Sequence, residues 1–300
     1  MNLIRVLKKN LLCFLDLFKC SFFSIFSRLL LYPSLKTLHS SNNIALILGN
    51  GPSLSSDKIN RLISLYGNSV DIFASNRSYL FLDEWNISPF CYCVEDGLVI
   101  NNFERELSQV SNSSHVIISS TKLGFRLLSK RWLSRRLTTF PFSMLYSYWK
   151  FPQFKSSFSG KYFFNGYTVT YFMLQLAVCL GYKQIFFLGV DNNYQLSDSA
   201  STTWSANDQS NPNHAHSSYL GDKQWNVPKP LMMNKAYEYS FHLLEQLNIH
   251  SLNYEPTSKL PLFKKTSLNE NTIKLLSDNV YPSKKIRQYI NLRNYLNEST

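Results

Sequence analysis

Two glycines one residue apart interrupt an apolar run in the stretch LILGNGPSL, residues 46–54. The turn contains Gly49, Asn50, Gly51, Pro52 and Ser53. Such a turn between a strand and a helix can present backbone N–H groups to a phosphate. It is not a kinase-type loop, because no Gly-Lys-Ser/Thr follows, and Leu54 replaces the third glycine of a dinucleotide fingerprint. The stretch therefore indicates an anion site of another kind or, equally, a tight structural turn.

Polar residues also follow other predicted strands at their carboxyl ends. Asn76 follows the second strand, Glu95 and Asp96 end the third, and a later strand runs into Asp191, Asn192 and Asn193. In an open parallel sheet, ligands bind beyond the carboxyl ends of the strands. We therefore expect these residues to line one substrate site together with the glycine turn.

The three acids could supply oxygen ligands to a divalent cation. The sequence contains no Asp-x-Asp triplet, the usual metal signature of nucleotide-sugar transferases of a related fold. We favour Asp191 as a hydrogen-bond acceptor at the strand end, and we predict no metal centre.

A polar loop, NPNHAHSSYLG, contains His214 and His216. Histidine suits general-base chemistry because its unperturbed pKa lies near neutrality. Zinc is disfavoured because no cysteine or third histidine is near in sequence. We predict that one of these two histidines is a catalytic base, and the alternative is a loop histidine that only packs locally.

The formal charge of +12 is concentrated in three parts of the chain. Residues 1–40 carry +5, residues 122–136 carry +6, and the tail from residue 259 carries +5. The basic stretch 122–136 is typical of a solvated helix face, with membrane contact as the next interpretation, and no nucleic-acid motif accompanies it. We therefore expect no nucleic-acid partner.

Five cysteines without metal-ligand spacing indicate reduced, buried thiols and a cytoplasmic protein.

Near the amino terminus, apolar residues recur every three or four positions from Leu3 to Leu29, and the bases lie mostly off this stripe. No window approaches the roughly 20 uncharged residues of a spanning helix. The pattern predicts a peripheral helix at the inner face of the membrane, or else a helix docked on the protein itself or in a dimer.

The body of the chain alternates strand-like and helix-like stretches, which predicts a mostly parallel, Rossmann-like α/β sheet flanked by helices. Predicted strands include residues 43–49, 70–76, 90–96 and 115–120. Helices are predicted over 56–66, 121–137, 168–180 and 233–247, and a loop of roughly 40 residues precedes the last of them. We divide the chain into an amphipathic segment (1–40), a catalytic domain (41–265) and a basic helical tail (266–300).

Two stretches resemble known families. GNGPSL, Asn76 and TVTYFMLQLAVCLGYKQIFFLGVD with the histidine loop after it are similar to the bacterial CMP-sialic acid sialyltransferases. They are at least as similar to hydroxymethylpterin diphosphokinase-like domains, which include motility-accessory proteins. The resemblance covers residues 43–265 and implies a variant glycosyltransferase-A fold without a metal requirement.

The resemblance also implies roles for individual residues. Asn50 and Asn76 would contact the nucleotide or the donor sugar. Thr168 and Thr170 stand where the sialyltransferases have a Thr-Ser-Gly triplet, although Val169 and Thr170 depart from it. Leaving-phosphate ligands would be sought among Asn193, Tyr194 and Tyr219.

Three hypotheses follow. The first is a glycosyltransferase that moves a CMP-activated nonulosonate, sialic acid or a relative, onto a surface-glycan or lipid-linked acceptor without a cofactor. The second is an ATP-dependent pterin diphosphokinase, which would need Mg²⁺ held by the three acids. The third is a non-catalytic protein at the membrane that binds a nucleotide or glycan.

Overall fold

The computed structural model describes residues 42–110, 153–157, 162–195, 212–221 and 223–268. It also describes the strands 115–119, 139–145 and 203–205, and the single residues Leu11, Leu15, Phe18 and Ser40. The predicted helix 121–137, most of the amino-terminal segment and the tail beyond residue 268 lie outside the described residues.

Eight parallel strands form the central sheet in the order β10-β7-β1-β2-β3-β4-β5-β6. Their bounds are β1 Ile44–Leu48, β2 Val70–Ser75, β3 Cys91–Val94, β4 His115–Ser119, β5 Thr139–Leu145, β6 Tyr162–Phe164, β7 Gln184–Leu188 and β10 His250–Asn253. A separate antiparallel ribbon joins β8 Thr203–Ser205 to β9 Gln224–Asn226. The predicted Rossmann-like α/β fold is confirmed.

The helices are α1 Ser56–Tyr66, α2 Tyr79–Leu82, α3 Gly97–Asn102, α4 Glu104–Val110, α5 Val169–Leu180 and α6 Pro230–Gln246. Helix α1 has the predicted bounds, but its N-cap is Ser55, whose hydroxyl accepts from the Lys58 N–H at 3.4 Å. Thr168 caps α5, and Gly181 ends it in the left-handed region at φ 93°. Among the described helices, none is long and apolar enough to cross a membrane.

Two hydrophobic cores lie on opposite faces of the sheet, and strand β1 contributes to both. Ala45 and Ile47 pack with α5 and α6, whereas Leu46 and Leu48 pack with α1. Strand β1 is fully buried on both faces, as expected for the centre of a parallel sheet. Helix α5 has buried side chains all round, so it belongs to the interior rather than the surface.

The sequence prediction missed the short strands. Strands β5 and β6 lie between the predicted helices 121–137 and 168–180, where no strand was predicted, and β8 and β9 lie in the predicted long loop. Strand β5 contains Pro141, which weakens a strand prediction, and the three-residue strands are too short to show alternation. Their pairing partners, rather than their own patterns, decide that they are strands.

Helix α6 begins three residues earlier than predicted, at Pro230. Proline is well suited to the first helical position, because its missing N–H would have no intrahelical partner there. This earlier start brings the first turn of α6 to the carboxyl edge of the sheet.

Candidate functional site

A pocket of about 590 Å³ lies beyond the carboxyl ends of β1, β2, β3 and β7. This volume is within the range of small-molecule sites. Most of the predicted site residues line it, namely Gly49, Asn50, Gly51, Pro52, Asn76, Glu95, Asp96, Thr168, Thr170, Asp191, Asn193, Tyr194, His214 and Tyr219. The fold thus brings together residues that are up to 170 positions apart, and their individual roles remain predictions.

Two predicted residues, Ser53 and His216, lie outside the pocket lining. The Ser53 N–H donates to the Asp191 carboxylate at 3.2 Å. The His216 Nδ1 accepts from the Ser218 N–H at 3.1 Å and so caps the 3₁₀ turn Ser217–Tyr219. His216 has a local structural contact, and only His214 of the pair lines the pocket.

Backbone N–H groups of the glycine turn are bonded within the protein. The N–H of Gly49 donates to Leu188 O at 2.8 Å, and that of Gly51 donates to Gly189 O at 3.0 Å. Ser53 is bonded to Asp191 as described, and Pro52 has no N–H. The N–H groups of Gly49, Gly51 and Ser53 are therefore used within the protein, and a role of the turn in anion binding stays a prediction.

The turn fits against the end of β7 because Gly49 and Gly51 have no side chains. A Cβ on Gly49 would lie 2.1 Å from Gly189 O, and a Cβ on Gly51 would lie 2.0 Å from Asp191 Oδ2. Both distances are far below van der Waals contact, so the close approach requires glycine at both positions.

The predicted acids are each engaged separately. Asp191 accepts from Ser53, and the Asp96 Oδ1 accepts from the Leu98 N–H at 2.8 Å and from Asn226 Nδ2 at 2.9 Å. Within the described part of the chain, no group of three His, Cys, Asp or Glu side chains could hold a metal ion. Asp96 and Asp191 are thus bonded within the protein, and the diphosphokinase hypothesis with its Mg²⁺ ion stays a prediction.

Asn76 and Asn192 occupy the left-handed backbone region at the ends of β2 and β7, with φ of 52° and 50°. Asparagine tolerates this region better than most residues, and strained backbone is concentrated at functional sites. The Oδ1 atoms of both are buried and have no hydrogen-bond partner among the described residues. Both residues line the pocket, so their amides are candidates for contact with a ligand.

The side-chain amides of Asn76 and Asn192 also make hydrogen bonds within the protein. The Asn192 Nδ2 donates to Asn234 Oδ1 at 2.7 Å, and the Asn76 side chain bonds to the Tyr219 hydroxyl. These contacts fix both amides with their oxygens left for a ligand.

His214 lines the pocket and stacks on the Tyr219 ring, with ring centroids 3.9 Å apart and planes inclined by 11°. Burial lowers the pKa of His214 to about 4. The imidazole is therefore neutral at physiological pH. A neutral imidazole in the pocket is the protonation state that a general base needs.

The histidine loop, residues 212–221, is tied to the sheet edge at three points. The Ala215 N–H donates to Asn50 O at 2.8 Å, and Asn50 Nδ2 donates to the Tyr219 hydroxyl at 3.0 Å. The Asn213 side chain bonds both the N–H and the carbonyl of Gln195, at 2.8 and 3.0 Å. The glycine turn therefore also positions the loop that carries His214.

Arg77 also holds the histidine loop, and the sequence analysis did not select it. Its Nη1 donates to the carbonyls of Ser218, at 2.7 Å, and of Tyr219, and the guanidinium lies 3.9 Å from the centroid of the Phe103 ring. Arg77 is 7% exposed. A buried arginine bonded to two loop carbonyls holds the loop against the end of β2.

Three tyrosines of the pocket remain uncharged. Burial is the main cause that raises the pKa of Tyr194, to about 12, and the pKa values of Tyr219 and Tyr237 are also raised chiefly by burial. The side chains of Thr168 and Thr170 bond to Tyr237. Neutral hydroxyls can donate hydrogen bonds to an anionic ligand atom.

Glu95 lies where β3 ends, and Asn165 Nδ2 donates to its Oε1. Burial, together with the neighbouring charge of Asp96, raises the pKa of Glu95 from 4.5 to about 8. The carboxyl is therefore mostly protonated at neutral pH.

The pocket also contains residues that the sequence analysis did not select, among them Asn165, Tyr167, Trp225, Lys229 and Tyr237. The Asn165-Gly166 pair is a turn signal that could have drawn attention to this segment. The others carry no sequence signal, because short irregular segments and the start of α6 bring them to the pocket.

Comparison with known proteins finds one family that matches the chain and solved structures that are similar to it. The family described as 6-hydroxymethylpterin diphosphokinase MptE-like matches residues 21–196, more than half of the chain. No curated protein matches the sequence significantly.

Two solved structures are similar to this chain. One is the sialyltransferase CstII from Campylobacter jejuni, in complex with the substrate analogue CMP-3FNeuAc, with 16% identity, a TM-score of 0.41 and coverage of 76% of this chain and 88% of that chain. The other is the MAf glycosyltransferase from Magnetospirillum magneticum AMB-1, with 16% identity, a TM-score of 0.44 and coverage of 80% of this chain and 37% of that chain. Both are similar in fold alone.

The Arg77 tie predicts a stability effect confined to the histidine loop. Arg77→Met should leave the carbonyls of Ser218 and Tyr219 unpaired and cost about 1–3 kcal/mol. We expect faster hydrogen exchange in residues 212–221, measured by mass spectrometry. Arg61→Met is the matched control, because Arg61 makes an exposed bond to Leu268 O. Equal exchange in both variants would contradict a positioning role for Arg77.

Proposed function

The chain belongs to the 6-hydroxymethylpterin diphosphokinase MptE-like family, and from this premise and the chemistry of its pocket we propose that it is a glycosyltransferase. We propose that it moves a CMP-activated nonulosonate, sialic acid or a relative, onto a surface-glycan or lipid-linked acceptor. The proposal concerns the pocket at the carboxyl edge of the sheet and names His214 as the base.

The proposal is carried by the amides of Asn76 and Asn192, whose buried Oδ1 atoms have no hydrogen-bond partner among the described residues, in a pocket lined by uncharged donors. A nucleotide sugar presents hydroxyl and amino groups that such oxygens can accept from. A triphosphate reaction instead requires a phosphate cradle and a metal-binding acid set. Among the described residues, the N–H groups of Gly49, Gly51 and Ser53 and the carboxylates of Asp96 and Asp191 are already bonded within the protein.

Two groups would do the chemistry. The neutral His214 would take the proton from the acceptor hydroxyl as that oxygen attacks the donor sugar. Hydroxyls of Tyr194 and Tyr219 would donate to the phosphate that leaves with negative charge. The Tyr219 oxygen already accepts from Asn50 Nδ2, so its own proton remains for a ligand.

The family description supports a second candidate, transfer of diphosphate from ATP to a pterin alcohol. That reaction needs charge neutralisation of the phosphates by a cation. We rank it second because the carboxylates of Asp96 and Asp191 are already bonded within the protein.

We also propose that the enzyme works as a peripheral protein at the inner face of the cytoplasmic membrane. Leu11, Leu15 and Phe18 lie in helical conformation with 59%, 41% and 64% of their surface exposed. Exposed apolar side chains at helical spacing beside basic residues fit the surface of an anionic bilayer. A lipid-linked acceptor would lie at the same membrane surface.

Ligand binding tests the proposed function. CMP should raise the thermal stability of the purified protein without Mg²⁺, by roughly 2.7 kcal/mol at a hundredfold excess over Kd, because it binds only the folded state. The measurement is a thermal-shift titration with CMP, CDP, UDP and ATP, each with Mg²⁺ or EDTA. A shift with ATP that requires Mg²⁺, without one for CMP, would favour the diphosphokinase. No shift with any nucleotide would favour a non-catalytic protein.

Substitution of the base should separate binding from chemistry. His214→Asn should lower transfer from a CMP-linked donor by at least about a hundredfold while CMP binding is kept, because only the proton acceptor is lost. His216→Asn should stay within a few-fold of the wild type, and His242→Asn, a half-buried position on α6, controls for the substitution itself. A larger loss with His216→Asn than with His214→Asn would assign the base to His216 instead.

Vesicle binding tests the membrane proposal. The double variant Leu11→Asp/Phe18→Asp should bind vesicles of phosphatidylglycerol and phosphatidylcholine at least roughly tenfold more weakly, since each buried side chain contributes about 1.5–3 kcal/mol. Leu65→Asp, at a 37% exposed position on α1, is the control. Co-sedimentation gives the affinity, and unchanged binding by the double variant would contradict this surface.

A further inference from the structure

We propose that Glu95 acts as a neutral carboxylic acid that donates a hydrogen bond to an anionic oxygen of the bound donor. The anionic oxygen belongs to a phosphate or to a carboxylate, which are chemically alike as acceptors. The inference deepens the proposed function, because it assumes that the pocket takes a CMP-linked donor.

The position of the proton on Glu95 follows from the bonds of Asn165. The Asn165 Oδ1 accepts from the Tyr167 N–H at 2.8 Å, so the amide nitrogen is the atom that faces Glu95. Because Asn165 Nδ2 donates to Oε1, that oxygen is an acceptor. A proton on the carboxyl therefore belongs on Oε2.

Several titratable groups surround Glu95. Asp96 follows it directly and disfavours a second negative charge. Cys93 of β3 and Tyr237 of α6 both interact electrostatically with Glu95, and burial raises the pKa of each, so both are neutral. Lys229 lines the same pocket, but its side chain is exposed and its Nζ lies 5.5 Å from the centroid of the Tyr167 ring. Burial and Asp96 thus govern the charge of Glu95 and hold its pKa at about 8.

An anionic ligand needs donors in this pocket. The glycine turn supplies few, because its N–H groups are bonded within the protein. An ionised Glu95 would repel an anion, whereas a neutral carboxyl can donate to one. A carboxylic acid kept neutral by its surroundings can serve as such a donor. Protonation of Glu95 therefore removes a charge that would repel the anion and supplies a hydrogen-bond donor to it.

A ligand-free experiment tests the protonation state. Glu95→Gln keeps an acceptor for Asn165 and places an amide N–H₂ where Oε2 lies, so it mimics the protonated acid. The wild-type carboxyl contributes stability fully below its unfolded pKa and loses it as pH rises toward 8, because its folded pKa is raised. The melting temperature of Glu95→Gln should therefore rise relative to wild type between pH 5 and 8 and then stay level.

Glu84→Gln, at an exposed position, is the matched control and should show a constant difference from wild type. A constant difference for Glu95→Gln over the same range would show that the carboxyl titrates normally and would overturn the inference.

A binding experiment tests the contact to the ligand. The Kd of CMP and of an inert 3-fluoro CMP-nonulosonate is measured by calorimetry in EDTA at pH 7, 8 and 9. If only the protonated enzyme binds, the wild-type Kd should rise about twofold at pH 8 and about elevenfold at pH 9. The phosphate of CMP titrates near pH 6, so its charge is nearly constant in this window. Glu95→Gln should bind within a few-fold of wild type at pH 7 with no such rise, and Glu95→Ala should bind more weakly at every pH.

The two ligands distinguish the sources of the anionic oxygen. A pH dependence already present with CMP assigns the contact to the phosphate, and one present only with the donor analogue assigns it to the sugar carboxylate. Wild-type affinity that does not change with pH, or Glu95→Gln binding as weakly as Glu95→Ala, would overturn the inference while leaving the proposed function. Absence of binding by both ligands at pH 7 would overturn the proposed function and the inference together.

Discussion

The close contact between the glycine turn and the end of β7 is the constraint on which the site depends. Gly49 and Gly51 donate to the carbonyls of Leu188 and Gly189, and a side chain on either glycine would overlap that backbone. Strands β1 and β7 are neighbours at the centre of the sheet, so this contact fixes their carboxyl ends relative to each other. Asn50 and Asp191 take their positions from it.

This contact also determines what the site can do. Because the N–H groups of the turn are used to join two strands, recognition falls to side chains around the pocket. Asn76 and Asn192, both in the left-handed region, present carbonyl oxygens, and tyrosine hydroxyls present protons. The histidine loop is positioned by the same turn through Asn50, and by Arg77 from the end of β2. A substitution in the glycine turn would therefore alter the position of His214, although the two are far apart in sequence.

The charges of the pocket follow from its burial. Burial lowers the pKa of His214 and raises that of Glu95, so that both are neutral at physiological pH. Desolvation thus keeps His214 unprotonated and keeps the Glu95 carboxyl protonated. Such opposite shifts within one pocket are a frequent property of catalytic sites. They fit a reaction in which a proton is taken from an acceptor and negative charge develops on a leaving group.

Much of this arrangement could be predicted from the sequence. The apolar strands, the capped helix after Thr168 and its end at Gly181 are local patterns, and the alternation of strands and helices requires a parallel sheet. Since parallel strands present their carboxyl ends at one edge, the polar residues after them were expected to meet, and most of them line the pocket. Short strands such as β6 and the buried Arg77 left no periodic signal.

The fold class, the edge of the sheet at which the site lies and the residue types available there follow from local patterns in the chain. How those residues are used depends on the packed structure. It assigned the N–H groups of the glycine turn to β7 rather than to a ligand, placed His214 rather than His216 in the pocket, and neutralised Glu95. The physical reason is that hydrogen-bond partners and desolvation depend on groups distant in the chain, whereas helix and strand patterns depend on near neighbours.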